Sequence, residues 1–314
     1  MILVLVKNRR TWILVAAAVL LGGAALWFVQ LQRSRGFAAT PAGMLQRLPT
    51  HASLVLFVDF EALRRGGVLK LLAKSKVTEE PEYQAFVRST GFDYGRDLDL
   101  TAVAFRNEGE FLLIKGRFDW NKLENYARDQ GGSCYKHLCR MAGSTPERRI
   151  SFFPVQTNLM ALAVATDSFA VTRLEDAQAA SVQPLETPTD PIWLSVPAES
   201  LRSAENLPAG TKIFAGALAS ANQILLSMGA LGDRYEARLQ VTCRTSQEAA
   251  VLSAQLEHTT TLLRYMIARE NQRPNPKDLS GVLTAGVFQH ADRRVFGRWP
   301  IPETFLESLA GGTQ

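Results

Sequence analysis

The chain is 314 residues long, enough for one large or two modest domains, and 46% of it is hydrophobic, the usual share for a protein with real cores. Its formal charge of +5 points first to nucleic acid, yet Lys7, Arg9, Arg10, Arg33 and Arg35 carry all the charge of the first 35 residues. Beyond them 30 basic side chains face 30 acidic ones, which excludes the basic stripe that phosphate-backbone binding needs, so no nucleic-acid partner is expected.

Trp12 to Leu31 reads WILVAAAVLLGGAALWFVQL, uncharged throughout. At ~1.5 Å rise per residue it spans ~30 Å, the thickness of a bilayer's hydrocarbon core. Trp12 and Trp27 stand near its ends, where indole rings settle at the headgroups. The run is longer than a secretory h-region and is followed by Gln30-Leu-Gln-Arg-Ser-Arg35 rather than a small-x-small cleavage site. The sequence therefore predicts a cytoplasmic N-terminus over 1–11, a transmembrane anchor in the lipid bilayer over 12–31 and a tether over 32–47. Lys7, Arg9 and Arg10 precede the span and Arg33 and Arg35 follow it, so the positive-inside bias favours an exported C-terminal body by a small margin.

The body reads as a first α+β lobe over 48–177, a Pro/Thr/Gln-rich linker over 178–190 and a second α+β lobe over 191–314, with mainly antiparallel sheets. Leu54–Val58 is a buried strand ending at Asp59, and a helix broken at Gly66-Gly67 follows. Pro81 opens a helix that Gly91 ends. Thr101–Arg106 and Glu110–Lys115 flank Asn107-Glu-Gly109 as a hairpin. Asp119 caps a helix carrying Trp120, Leu123 and Ala127, and short strands follow around Cys134, Cys139, Ile150–Val155 and Leu159–Ala165. After the linker come a strand at Ile192–Val196, a short helix, and a meander over Lys212–Leu218, Ile224–Met228 and Tyr235–Thr242. Thr245-Ser-Gln-Glu248 is a capping box opening a long helix with its buried stripe on Ala249, Leu252, Leu256, Leu263 and Ile267. Two strands around Val287 and Val295 and a helix over Glu303–Ala310 close the chain. The same order of elements runs twice, which predicts an internal duplication. The phrases LPTHASLVLFVDFEALR, TGFDYGRDLDL, TSQEAAVLSAQLEHTTTLLR and the closing V-x-G-R-W-P-I-P-E-x-F-L resemble a pattern in uncharacterised bacterial single-pass membrane-anchored exported proteins with no assigned activity. The resemblance implies a bacterial inner-membrane anchor with a periplasmic body, and no chemistry.

Little in the chain carries catalysis. His51, His137, His258 and His290 are dispersed and form no HExxH, and no GxSxG, Walker A or GxGxxG motif occurs. His258 lies about 200° round its helix from the buried stripe and is expected to face solvent. Ser133-Cys-Tyr-Lys136 matches SxxK, but its strand-like surroundings lack the helix that chemistry needs. Asp97-Leu-Asp99, with Asp93 nearby, has the form of a hard-cation site, although such residues more often cap turns and open strands. Asp59 and Glu61 sit at a strand end, where α/β enzymes place acids; capping of the next helix is the alternative. Cys134 and Cys139 suit the two sides of a hairpin: a disulfide in an oxidising compartment, otherwise two inert thiols. Arg148-Arg149 and Arg293-Arg294 with Arg298 are the local basic clusters. No cofactor or metal is expected, and the reading is a non-catalytic binding or assembly module with a protein partner in the envelope. The alternatives are an exported enzyme using Asp59, Glu61, Asp97 or Asp99, and a small-molecule or lipid-binding module.

Overall fold

The computed structural model describes residues 39–51, 53–69, 80–145, 147–175, 187–197, 217–218, 221–232, 234–270 and 272–311. The span over 12–31 lies outside the described residues, and among these no helix is long and apolar enough to cross a membrane. Part of the expected tether is helix: α1 runs Pro41–Arg47, with the Thr40 hydroxyl accepting from the Gly43 N–H. Seven residues are too few for a hydrophobic period to register, but Thr at the cap and Pro in the first turn signal a helix start, and Met44, Leu45 and Leu48 are buried.

The first half continues with β1 (Leu54–Asp59), α2 (Phe60–Arg65), α3 (Pro81–Thr90), α4 (Tyr94–Asp97), the hairpin β2 (Leu98–Arg106) and β3 (Gly109–Gly116), and α5 (Trp120–Asp129). It ends with β4 (Ser133–Tyr135), β5 (Leu138–Ala142), β6 (Arg149–Gln156), β7 (Leu159–Ala165) and a 3-10 turn at Ala170–Leu174. The second half holds β8 (Ile192–Pro197), β9 (Gln223–Leu231), β10 (Arg234–Thr242), α6 (Ser246–Arg269), α7 (Leu279–Leu283), β11 (Val287–Ala291), β12 (Arg294–Ile301) and α8 (Glu303–Gly311). Of the strand expected over Lys212–Leu218, only Ala217 and Leu218 are described, and they are helical. Half of the α6 capping box forms as expected, with Thr245 Oγ1 accepting from the Glu248 N–H; the Glu248 carboxylate accepts from the Arg244 N–H, one residue before the cap. Ala249, Leu252 and Leu256 are buried as the stripe requires; Leu263 and Ile267 are only half-buried.

The fold is α+β, and its strands form one antiparallel sheet in the order β11-β12-β10-β9-β8-β1-β2-β3-β7-β6-β5-β4. The two expected lobes therefore share a sheet instead of each owning one. β1 and β8 pair antiparallel from Val55–Ser195 to Val58–Ile192, which satisfies two strand edges that separate lobes would expose. From that seam the order is β1-β2-β3-β7-β6 one way and β8-β9-β10-β12-β11 the other, so the same path through the sheet is drawn twice. The hairpin β4–β5 extends the first half only.

Directly paired residues share a face, so the register fixes what each face presents. Ile114, Thr101, Val58, Ile192, Met228, Ala237 and Trp299 are successive partners across the sheet. Ile114 packs with the α5 residues Leu123 and Ala127, and Trp299 with Leu252 and Leu256 of α6, so both long helices cover one face. The neighbouring row on the other face runs Ala161, Leu113, Ala102, Phe57, Trp193, Ser227, Arg238, Arg298 and Val287. As far as Trp193 it is buried beneath Met44, Leu45 and Leu48 and the 3-10 residues Val171 and Leu174. Phe57 and Trp193 stack at the seam with centroids 5.3 Å apart. Beyond Trp193 the row turns polar.

Candidate functional site

Of the carboxylates singled out in the sequence, the fold engages Asp59, Asp97 and Asp99 in caps and ion pairs. Asp59 caps α2, its Oδ1 accepting from the Ala62 N–H at 2.7 Å, and Glu61 is exposed in that helix's first turn, a favourable place for an anion. Asp99, in β2, faces Arg64 at 3.8 Å, while the same guanidinium donates to the carbonyls of Gly95 and Leu98. Asp97 is buried and takes hydrogen bonds from the Arg96 guanidinium at 2.7 Å, from Arg117 Nε at 3.2 Å and from the Asp93 N–H at 3.0 Å. The Arg96 hydrogen bond, then the Asp93 N–H and Arg117, outweigh desolvation and hold its pKa down to about 2. Asp93 itself caps α4. The three carboxylates thus have cationic or backbone partners, and among the described residues no group of three or more His, Cys, Asp or Glu is placed to hold a metal ion.

Cys134 and Cys139 are disulfide-bonded and lie directly opposite one another in the β4–β5 hairpin. The two residues at its tip, Lys136 and His137, both have positive φ (46° and 68°), the backbone of the tight turns that join two strands with matching twist. Ser133 and Lys136 of the SxxK match therefore sit on a strand and a turn, not on one helical turn. His137 approaches Glu124 at 2.9 Å; that hydrogen bond, with Arg128, lowers the Glu124 pKa against desolvation. His258 is exposed on α6, as its position predicts.

The cavity of interest lies on the polar half of the sheet face described above. Residues 187–190 border, with β9, β10 and β12, an open cavity of about 350 Å³, within the range of small-ligand sites. Thr187, Thr189, Asp190, Ser227, Arg238, Phe296 and Arg298 contribute to the lining. Asp190 fixes the wall to the floor, with Oδ1 accepting from Arg238 Nη1 at 2.5 Å and Oδ2 from the Ser227 hydroxyl at 2.5 Å. Arg238 Nε donates to Glu236 at 2.9 Å. Burial works to lower the Arg238 pKa, but the Asp190 and Glu236 hydrogen bonds outweigh it and leave the pKa raised. Gly229 makes room for this arrangement: a Cβ there would collide with the Asp190 carboxylate.

Arg298, cross-strand partner of Arg238, is exposed and makes no ion pair or hydrogen bond among the described residues. Phe296 stands two residues away on the same face, 37% exposed, and Val287, opposite Arg298 on the edge strand, is 53% exposed. Of these residues sequence reasoning singled out only Arg298, and as part of a basic cluster. The alternation of β12, with Val295, Gly297, Trp299 and Ile301 buried and Arg294, Phe296, Arg298 and Pro300 outward, was readable from RVFGRWPI. Nothing local could pair Arg298 with Arg238, or bring Asp190 to either.

The chain matches no protein-family model, and no curated protein matches it. Among solved structures it is similar to crystal form IV of TP0453, with TM-score 0.48 and 10% identity over 86% of this chain and 96% of that one. Crystal form I of TP0453 gives TM-score 0.47 and 13% identity over 87% and 97% of the two chains. At these values the likeness carries no argument about what the chain does.

Proposed function

We propose that the chain is a membrane-anchored, non-catalytic binding or assembly module of the bacterial cell envelope, with its body exported and the open sheet face of its second half as the binding surface. One observation carries this reading. The row that is core as far as Trp193 continues as Ser227, Arg238, Arg298 and Val287 over a cavity of about 350 Å³, while Asp59, Asp97 and Asp99 are engaged in caps and ion pairs. A solvated face alone is ordinary for an antiparallel sheet. A walled cavity beside exposed Phe296 and Val287 is what a binding surface adds. The uncharged Trp12–Leu31 span supports the anchor, the disulfide at the β4–β5 tip supports an oxidising compartment, and the repeated strand path supports an origin by duplication.

Fractionation and affinity purification test it together. The full chain should sediment with membranes and resist alkaline carbonate, and a phosphatase fused after Gln314 should be active. Proteins retained from detergent-solubilised membranes should be lost when Val287 and Phe296 are both replaced by Glu. Recovery in the soluble fraction would remove the anchor, and an unchanged retained set would remove the binding face.

A further inference from the structure

We propose that the cavity beneath residues 187–190 is a binding site for an oxyanion, a carboxylate or phosphate group, carried on a flat apolar body. The inference deepens the binding-module reading and rests on it for the choice of surface. The charges decide the sign of the ligand. Two carboxylates line or adjoin the cavity, and both are spoken for: Asp190 by the Arg238 guanidinium and the Ser227 hydroxyl, Glu236 by Arg238 Nε. Arg298 stands directly across from Arg238 with no counterion and no hydrogen-bond acceptor among the described residues. A cationic ligand would meet an uncompensated guanidinium and carboxylates already paired. An anion would meet a planar donor fork matched to two oxygens, which is the geometry arginine offers carboxylates and phosphates.

The rest of the lining sets what the anion is attached to. Thr187 and Thr189 bring hydroxyls from the wall, able to donate to ligand oxygens. Phe296 and Leu225 give the cavity an apolar side, and Phe296 lies two residues from Arg298 on the same strand face, about 7 Å along it. A ligand gripped by Arg298 can therefore lay a ring or short chain on Phe296. The paired floor positions the wall: Asp190 joins residues 187–190 to Arg238 on β10 and Ser227 on β9 before the chain enters β8, and Gly229 leaves space for its carboxylate.

Isothermal titration calorimetry on the full chain in uncharged detergent, with phenyl phosphate and benzoate as probes and benzyl alcohol as the neutral control, tests the site. Both anions should bind, and benzyl alcohol should bind at least about tenfold more weakly. Arg298→Gln should lower anion affinity about tenfold or more, the value of a charge-assisted pair of hydrogen bonds, and leave the melting temperature unchanged because the side chain is exposed and without partners among the described residues. Phe296→Ala should weaken phenyl phosphate and leave inorganic phosphate as it was. Undisturbed binding in Arg298→Gln, equal binding of benzyl alcohol, or no heat from either anion at millimolar concentration would each overturn the proposal. Loss of the phenyl phosphate signal in nanodiscs containing phosphatidic acid would assign the oxyanion to a lipid headgroup; its persistence there would assign it to a free anion, and both results uphold the site. Absent anion binding in a chain that still fractionates with membranes removes only the ligand class. Anion binding in a chain found soluble removes only the anchored reading.

Discussion

Replacing Asp97 with Asn separates the structural from the catalytic account of the carboxylate cluster. In the fold this carboxylate is buried, and it joins the start of β2 to Arg96 and Arg117, whose side chains are 68% and 60% exposed. Its pKa falls from 3.8 to about 2, and each pKa unit corresponds to about 1.4 kcal/mol of differential interaction. Water around the two exposed guanidinium groups screens part of that, which leaves about 1–2 kcal/mol of stabilisation. Because the folded pKa lies below the unfolded one, this contribution is whole above pH 3.8 and is lost as pH falls through about 2. Urea unfolding of a chain beginning near Ala38 should therefore show Asp97→Asn less stable by about 1–2 kcal/mol at pH 7, with the gap to wild type closing between pH 4 and pH 2. A gap that stays constant over that range would refute the ion-pair account, and a stability equal to wild type at pH 7 would free Asp97 for another role.

Three further outcomes follow from the structure. Reducing or replacing the Cys134–Cys139 bridge should cost about 2 kcal/mol by the loop-entropy estimate, read from melting with and without reductant; two alkylated thiols in unreduced protein would remove the bridge and the support it gives an oxidising compartment. Changing Lys136-His137 to Asn-Gly should raise stability by about 0.5–1 kcal/mol, because both positions have positive φ and the exposed His137–Glu124 contact is worth little; a destabilised variant would show that contact to be the stronger effect. The body should bind duplex or single-stranded DNA no better than a neutral control protein, since 30 basic side chains face 30 acidic ones beyond residue 35 and the guanidinium of Arg298 grips one anionic group without making a stripe; micromolar binding that collapses with salt would refute this.

Much of the fold was legible because its signals are local. Asp119 and Thr245 mark helix starts by capping, Gly91 ends α3 with φ of 74°, and the two-residue turn Asn107-Glu108 joins two strands rich in apolar residues. The end of the tether shows no helical period because α1 is too short for one, and its burial is settled by Val171 and Leu174, more than a hundred residues on. The single sheet was illegible for the same reason: β1 and β8 are both plain apolar strands, and only their mutual pairing turns two lobes into one. For the site, Arg298 is visible as an outward residue of an alternating strand, whereas its place opposite Arg238, which Asp190 pairs, depends on a strand and a linker far away in the chain.

The β1–β8 seam also orders events during synthesis. Val55 waits for Ser195, roughly 140 residues later, which at the usual pace of translation is on the order of ten seconds. In that interval β2 can pair with one side of β1, while the other side and the ring of Phe57 remain open until Trp193 arrives. The nascent first half is thus an unfinished sheet with a sticky margin, and pairing between two such chains is the misassembly it must avoid.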